Sequence, residues 1–204
     1  MKKIIKFLIV LFRCIWVFPI YIAVLLSREK IIILYEISIW KNVMYIEGNP
    51  CRFFLFSALM GREDYRSALY IRLGRIGRVL SHLYKGKPAF YCYTASQNIG
   101  KGLILHHPFS TIILCRGIGE NCMIWQNVTI GRSQIENTLN CTPLIGNNVK
   151  ICAGATLVGP ITVGDNVTIA AGAVVVKNVP SNCLVGGNPA RILKRNGIKT
   201  NESL

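Results

Sequence analysis

The sequence predicts a mainly β fold, a parallel β-helix of six-residue repeats that follows an α-helical, apolar N-terminal region. Two observations support this prediction. Leu, Ile, Phe and Trp crowd the first sixty of the 204 residues, whereas most of the turn-forming Gly and Asn lie in the last hundred. From Ile99 onward, aliphatic residues return at every sixth position over long stretches. The chain therefore divides into a helical N-terminal part and a repetitive C-terminal part.

Residues 1–30 form an apolar segment that is predicted to associate with a membrane. Three lysines lie within its first six residues, and the charged sequence SREK ends it. The uninterrupted run Cys14 to Leu26 has 13 residues. A membrane-spanning helix needs ~20 residues. The stretch Phe7 to Leu26 reaches this length when Arg13 is counted within it. Three alternatives remain open: a tilted or re-entrant membrane helix, an interfacial helix, and a helix buried at an oligomer contact. The basic flanks favour a cytoplasmic protein at the inner face of the cytoplasmic membrane.

Residues 31–91 are predicted to be helical, and arginines interrupt an apolar face in the stretch RSALYIRLGRIGRVLSHLY. The formal net charge of +15 indicates a polyanionic partner. No stretch of the sequence matches a nucleic-acid-binding motif, so we expect no nucleic acid partner. The basic clusters suit a membrane surface and a phosphate-bearing cofactor better.

Residues 92–188 contain the six-residue repeat. Its clearest part is a run of aliphatic residues in phase: Ile145, Ile151, Leu157, Val163, Ile169 and Val175. The same step is kept earlier by Ile112, Ile118, Ile124 and Ile130 and, one residue out of phase, by Ile99 and Leu105. A period of six fits a coil of three short strands and three tight turns, with the aliphatic side chains pointing inward. Stacked coils then bury a continuous apolar ladder.

A loop of residues 132–143 interrupts the repeat between Ile130 and Ile145. Loops that leave a regular scaffold often bear function. The sequence GGNPAR ends the repeat, and residues 189–204 are predicted to form a C-terminal cap with a basic tail. None of the eight cysteines forms a CxxC pair, so their spacing indicates neither a zinc site nor a disulfide framework.

The segments NIGKGLILHH, IWQNVTIG and GGNPARILKR resemble the hexapeptide-repeat acyltransferases and, within them, the serine acetyltransferase branch. The resemblance covers residues 92–195. It implies a left-handed parallel β-helix that assembles as a homotrimer or a multiple of three. It also implies an O-acetyltransferase that uses acetyl-CoA as co-substrate and no metal.

By this resemblance, His107 is the general base, because it follows Leu105 and His106 at the catalytic position of the family. His106 is the neighbouring catalytic candidate, and the backbone N–H of Gly131 is the candidate oxyanion donor. An imidazole suits the base because its unperturbed pKa of ~6.5 lets it accept a proton at cellular pH.

The resemblance also implies a cofactor site and an acceptor site. The small residues that would line the pantetheine arm are Ala153, Gly154, Ala170, Ala171 and Gly172. The cations that would meet the phosphates are Lys177, Arg191 and Lys194. The loop residues that would face the acceptor are Arg132, Cys141 and Thr142.

Two departures from the serine acetyltransferase pattern lead to a prediction about the acceptor. Cys92 stands where the family has an aspartate that pairs with the base, and Cys141-Thr142 stand where it has Arg-His for the serine carboxylate. With these losses, the His106-His107 pair and the apolar N-terminal extension, the chain resembles the exopolysaccharide and colanic-acid O-acetyltransferases. This resemblance implies a glycan or lipid-linked sugar hydroxyl as acceptor, in bacterial surface polysaccharide (capsule, O-antigen or exopolysaccharide) biosynthesis. The alternatives are a serine O-acetyltransferase of cysteine biosynthesis and a non-catalytic trimeric scaffold of a glycan-synthesis complex.

Overall fold

A computed structural model describes residues 15–48, 51–133 and 141–204. The chain forms two compact units, Met1–Gly86 and Lys87–Leu204. Residues 1–14, which include the basic start of the predicted membrane-associating segment, lie outside the described residues.

The N-terminal unit is helical, as the sequence predicts. Helix α1 is described over residues 15–26, and it is followed by α2 (Lys30–Val43), α3 (Arg52–Leu59) and α4 (Glu63–Leu83). Helix α1 buries Val17, Ile20 and Val24, which follow the i, i+3, i+7 spacing of one helix face. Within residues 15–48, 51–133 and 141–204, no helix is long and apolar enough to cross a membrane.

A buried ion pair joins α2 to α4. Arg72 Nη2 donates to Glu36 Oε1 at 2.6 Å, and Arg72 Nε donates to Glu36 Oε2 at 3.2 Å. The arginine and glutamate side chains are only 1% and 5% exposed. Arg72, which interrupts an apolar face in the sequence, is therefore inside the helical unit, where each charge depends on its partner.

The C-terminal unit is a left-handed parallel β-helix, which confirms the predicted fold class. Its strands are β1 (Phe90–Cys92), β2 (Ile104–Leu105), β3 (Thr111–Ile113), β4 (Gly117–Ile118), β5 (Met123–Ile124), β6 (Thr129–Gly131), β7 (Leu144–Ile145), β8 (Lys150–Ile151), β9 (Thr156–Val158), β10 (Thr162–Val163), β11 (Thr168–Ile169), β12 (Val174–Val175), β13 (Cys183–Gly186), β14 (Arg191–Arg195) and β15 (Ile198–Ser203). Sheet 1 has the order β1-β3-β6-β9-β12, sheet 2 the order β10-β7-β4, and sheet 3 the order β15-β14-β13-β11-β8-β5-β2. Consecutive strands of one coil belong to different sheets, so the chain turns a corner between them.

The inward ladder follows the predicted residues with one exception. The six in-phase aliphatic residues after the loop are all buried. Ile112, which we predict to point inward, is 41% exposed, whereas its neighbour Ile113 is fully buried. The prediction is wrong here because the preceding turn is wide. Leu105 and Ile113 are eight residues apart, and both His107 and Ser110 adopt positive φ between them.

Asparagines occupy the corner between sheets 2 and 3. Asn148, Asn166 and Asn182 have φ of 55°, 57° and 58°, a left-handed conformation that asparagine tolerates. Asn148 Nδ2 donates to Asn166 Oδ1 at 3.1 Å, and Asn166 Nδ2 donates to Asn182 Oδ1 at 3.0 Å. The turn chemistry and the side-chain ladder thus favour the same stacking of coils.

Sheet 3 changes direction at its C-terminal end. Strand β14 pairs antiparallel with β13, and β15 pairs antiparallel with β14. Arg195 Nη2 contacts Glu202 Oε2 at 2.6 Å across the last pair. Residues 189–204, which we predict to be a cap with a basic tail, thus include two strands of this sheet.

Candidate active site

The corner at which the chain passes from sheet 3 into sheet 1 collects most of the predicted site residues. In each coil, one residue directly follows the inward residue of sheet 3. The strand register stacks these residues in a column, with one residue from each coil. These residues are, in order, His106, Trp125, Cys152, Ala170 and Gly186. We call this column, with the turn residues that follow it, the histidine corner. Along the column the side chains become smaller, from the imidazole and indole of the first two coils to the glycine of the last. We call the two ends the wide end and the narrow end.

The two histidines lie at the wide end of the histidine corner. The His106 N–H donates to the Ile124 carbonyl at 2.8 Å, and the His106 ring is half-buried. His107 is exposed and has a φ of 48°, and its carbonyl accepts the Phe109 N–H at 2.6 Å. His107 therefore has the access that a general base requires, while its backbone is held in a tight turn.

Glycines occupy one turn position of the histidine corner from the second coil after the histidines onward. One turn position has positive φ in four successive coils: Ser110 at 49°, Asn127 at 57°, Gly154 at 72° and Gly172 at 68°. Because Asn127 satisfies this backbone, the conformation alone does not require glycine in the later coils. Among residues 15–48, 51–133 and 141–204, no atom lies within 4 Å of a Cβ built at Gly172. The glycines thus leave two coils without a side chain at this position.

The alanines predicted to line the pantetheine arm share these turns. Ala153 precedes Gly154, and its carbonyl accepts the Gly172 N–H at 2.9 Å. Ala170 and Ala171 precede Gly172 in the next coil. The structure therefore brings all five predicted small residues to the same corner as His106 and His107.

Of the predicted phosphate-binding cations, Arg191 lies at the histidine corner. It is in register with Gly186 at the narrow end. Its Nε donates to Asn201 Oδ1 and its Nη2 to the Asn201 carbonyl, both at 2.9 Å. The guanidinium is exposed, so a phosphate could approach it from solvent.

The two predicted lysines lie elsewhere on the β-helix. Lys194 is in register with Leu184 within sheet 3 and lines a shallow cavity of about 410 Å³. Lys177 follows β12, at the end of sheet 1, and its Nζ donates to the Leu204 backbone oxygen at 2.7 Å. The structure does not bring either lysine to the histidine corner of its own chain.

The described ends of the loop lie at the corner between sheets 1 and 2. Arg132 is exposed directly after β6, whereas Cys141 is half-buried and Thr142 is buried just before β7. Arg116 fixes the second end, because its N–H donates to the Pro143 carbonyl at 2.8 Å and its Nε to the Thr142 carbonyl at 3.0 Å. Within one chain, the loop ends and the histidines therefore occupy different corners.

Two further positions from the sequence analysis lie on sheet 1. Gly131 ends β6, where its carbonyl accepts the Gly159 N–H at 3.1 Å, and a Cβ there would meet no atom of the described residues within 4 Å. Cys92 is half-buried and in register with Ile113, and its Sγ lies 3.7 Å from the Thr94 carbonyl. A thiol there cannot supply the charge of a carboxylate.

Cys152 is the thiol within the histidine corner. Burial raises the pKa of Cys152, against a smaller lowering by Lys150. This direction disfavours the thiolate, so Cys152 is a poor nucleophile. In the part of the chain that the structure describes, no group of three or more His, Cys, Asp or Glu side chains could hold a metal ion.

Sequence reasoning missed two residues that the structure adds to these sites. Trp125 stacks on His106, with ring centroids 4.6 Å apart and an interplanar angle of 20°. The signal was present, since Trp125 stands one coil after His106 within the segment IWQNVTIG. Arg116, at the loop end, had no such signal, because it lies 26 residues from Thr142 in sequence.

Comparison with known proteins gives related sequences. The family model for bacterial transferase hexapeptide (six repeats) matches residues 142–177. The serine acetyltransferase of Synechococcus elongatus is 36% identical over 129 residues, which cover 63% of this chain and 52% of that protein. The serine acetyltransferase of Staphylococcus aureus (strain Mu50) is 39% identical over 151 residues, which cover 73% of this chain and 68% of that protein. The chain thus spans about half to two thirds of the length of these relatives.

Two solved structures are similar to this chain over most of its length. The serine acetyltransferase of Neisseria gonorrhoeae in complex with serine has a TM-score of 0.59 and 26% identity, and the match covers 87% of this chain and 74% of that one. The serine acetyltransferase of Brucella abortus strain S19 in complex with coenzyme A has a TM-score of 0.57 and 26% identity, with coverage of 82% and 68%.

These matches overturn the predicted sugar acceptor of surface polysaccharide biosynthesis. The relatives at 36% and 39% identity are serine acetyltransferases, and so are both structures. They support no closer relation to polysaccharide O-acetyltransferases. The prediction is wrong because it rested on local features, namely Cys92, Cys141-Thr142, the histidine pair and the apolar extension, whereas the similarity to a serine acetyltransferase covers 73% of the chain. The matches favour the alternative that we kept open, serine.

Proposed function

The chain belongs to the serine acetyltransferase family of hexapeptide-repeat transferases, and we propose that it transfers the acetyl group of acetyl-CoA to the hydroxyl of serine. One observation carries the proposal: His107 stands at the wide end of the histidine corner, and the second and third coils after it have small side chains at their turns. This arrangement offers a base and, beside it, an open path for a long, thin thioester arm.

In this proposal, His107 takes the proton of the serine hydroxyl while the oxygen attacks the thioester carbonyl. The C–S bond then breaks, and the protonated His107 returns the proton to the departing thiolate. The transfer is direct, so it needs no cysteine nucleophile, in keeping with the raised pKa of Cys152. The Gly131 N–H remains our candidate for stabilising the oxyanion.

We assign the pantetheine arm to the histidine corner. Ala153, Gly154, Ala170, Ala171 and Gly172 would allow the arm to approach the backbone. Arg191, exposed at the narrow end, is the candidate for the phosphates. The relative from Brucella abortus, solved with coenzyme A, supports a site for this ligand on the shared fold.

We propose that the working form is a homotrimer or a multiple of three. Within one chain, the loop ends at Cys141 and Thr142 lie at a different corner from His107, so a neighbouring chain would bring the two corners together. Arg116, whose guanidinium contacts the Thr142 carbonyl, is then our candidate for the serine carboxylate in place of a loop arginine. Size measurement in solution tests the assembly, and a fully active monomer would contradict it.

We propose membrane-surface binding for the N-terminal segment. Helix α1 exposes the apolar side chains of Ile15, Phe18 and Leu26 while burying its opposite face. Such a helix with basic neighbours suits an anionic lipid surface. Co-sedimentation with vesicles containing phosphatidylglycerol tests this, with phosphatidylcholine vesicles as the control. Equal amounts of protein in the pellet with and without these vesicles would contradict it.

The test of the proposed reaction is acetyl-CoA-dependent acetylation of serine by the whole chain. We expect release of the CoA thiol in step with formation of O-acetylserine. Serinamide and ethanolamine, which keep a hydroxyl but lack the carboxylate, should react with a higher KM. Thiol release at the same rate without serine, or no release with it, would contradict the proposal.

A further inference from the structure

Trp125 and His106 form a stack that is built into the coil spacing of the β-helix. The His106 N–H donates to the Ile124 carbonyl at 2.8 Å, and the Trp125 N–H donates to the Ile151 carbonyl at 3.0 Å. The two residues thus leave adjacent, hydrogen-bonded strands at the same register. Since neighbouring strands are about 4.8 Å apart, their rings meet face to face, with centroids 4.6 Å apart and planes 20° from parallel.

The scaffold itself does not require an aromatic residue at this position. The next two coils carry Cys152 and Ala170 in the same column, and their ladder hydrogen bonds form equally well. Trp125 is also only half-buried, so it does not fill the core of the β-helix. Its large ring is therefore explained better by its contact with His106 than by packing of the coil.

The stack fixes one histidine of a pair whose second member is the proposed base. His106 and His107 are consecutive, and the turn that follows is closed by the Phe109 N–H on the His107 carbonyl at 2.6 Å. The backbone of both histidines is thus held, and the indole face restricts rotation of the His106 ring. The half-buried His106 imidazole is thus held against Trp125, one residue before the exposed His107.

We propose that Trp125 is a positioning residue of the acceptor site, which holds the His106 ring by stacking so that the acceptor meets His107 in one orientation. This inference rests on the proposed function, because the acceptor is the serine of that reaction. It assigns Trp125 no contact with the reacting atoms, and it predicts an effect on the acceptor rather than on acetyl-CoA.

The first test reads the stack without any activity. An imidazole in contact with an indole changes the fluorescence of the indole. We expect His106→Gln to change the emission of the whole chain at constant pH. The same substitution should have no effect in a Trp125→Phe background, and its effect should persist in a Trp16→Phe background, which removes an exposed tryptophan of the helical unit. Unchanged emission in His106→Gln would overturn the proposal.

The second test separates positioning from packing by kinetics. Trp125→Leu removes the stabilisation that the aromatic pair gives to the His106 ring. It should lower kcat/KM for serine about three- to tenfold, with the KM for acetyl-CoA unchanged. Trp125→Phe and Trp125→Tyr, which keep a flat ring, should restore most of this loss. Equal losses in the Leu and Phe variants, or a parallel loss of acetyl-CoA binding, would overturn the positioning role. If the wild type fails to acetylate serine, the proposed function fails, while the fluorescence comparison still decides whether Trp125 contacts His106.

Discussion

The assignment of the histidine corner to coenzyme A can be tested by adding one side chain to it. Gly154 has a φ of 72°, and the equivalent residue of the preceding coil, Asn127, has a φ of 57°. Asparagine therefore fits the backbone at this turn. A Cβ at Gly154 would lie 3.7 Å from the Gly172 nitrogen, an ordinary contact distance. Gly154→Asn should fold, with a loss of stability of about 1 kcal/mol or less.

The added amide would occupy the path assigned to the pantetheine arm. Forcing a side chain into an occupied site costs about 1–3 kcal/mol, which corresponds to a Kd for coenzyme A raised about 5- to 150-fold. Calorimetric titration with coenzyme A measures this, and thermal unfolding of the same samples checks the fold. Asn148→Gly is the matched control, since it alters a turn at the Asn corner between sheets 2 and 3 and should leave the Kd unchanged. An unaltered Kd in Gly154→Asn would refute the assignment of the arm to this corner.

Two further predictions concern buried groups. Burial raises the pKa of Cys115 and of Cys122 to about 11, so at pH 8 about one molecule in a thousand carries either thiolate. Iodoacetamide should alkylate the exposed Cys51 and spare Cys115 and Cys122. The alkylation rates of the two buried thiols should rise about tenfold per pH unit up to pH 11. Equal alkylation of all three cysteines at pH 8, measured by mass spectrometry, would contradict this. In the helical unit, Arg72→Met should lower the free energy of unfolding by about 3–5 kcal/mol, because it leaves the Glu36 carboxylate buried and unpaired. Urea unfolding should show much of this loss restored in Glu36→Met/Arg72→Met, and an equal loss in single and double variants would be inconsistent with the pair.

The sequence predicts the β-helix because its period depends on local rules. An inward aliphatic residue at every sixth position and Asn or Gly at turns with positive φ specify each coil by itself. The rule fails at Ile112, where the wide turn at His107 and Ser110 moves the inward position to Ile113. The exception thus lies at the turn that contains His107, the proposed base, where the six-residue period is interrupted.

The site is less predictable because its members meet through the stacking of coils. Ala153, Gly154, Ala170, Ala171 and Gly172 reach the histidine corner as expected, since each stands at a fixed offset from a ladder residue. Lys177 and Lys194 do not reach it, because a charge cluster in the sequence does not say on which sheet each side chain lies. The acceptor class was predicted wrongly, since the loss of three familiar side chains does not show which other groups replace them. Arg116 is the candidate that we propose for this role.

The most direct test of the account is the rate of acetyl transfer to serine by His107→Ala. A positioned general base contributes about 10²- to 10⁴-fold, so kcat should fall by that factor while coenzyme A binding and the unfolding midpoint stay unchanged. His82→Ala, which removes an exposed histidine of the helical unit, is the matched control and should retain full turnover. Near-normal turnover of serine by His107→Ala would contradict the mechanism proposed for this chain.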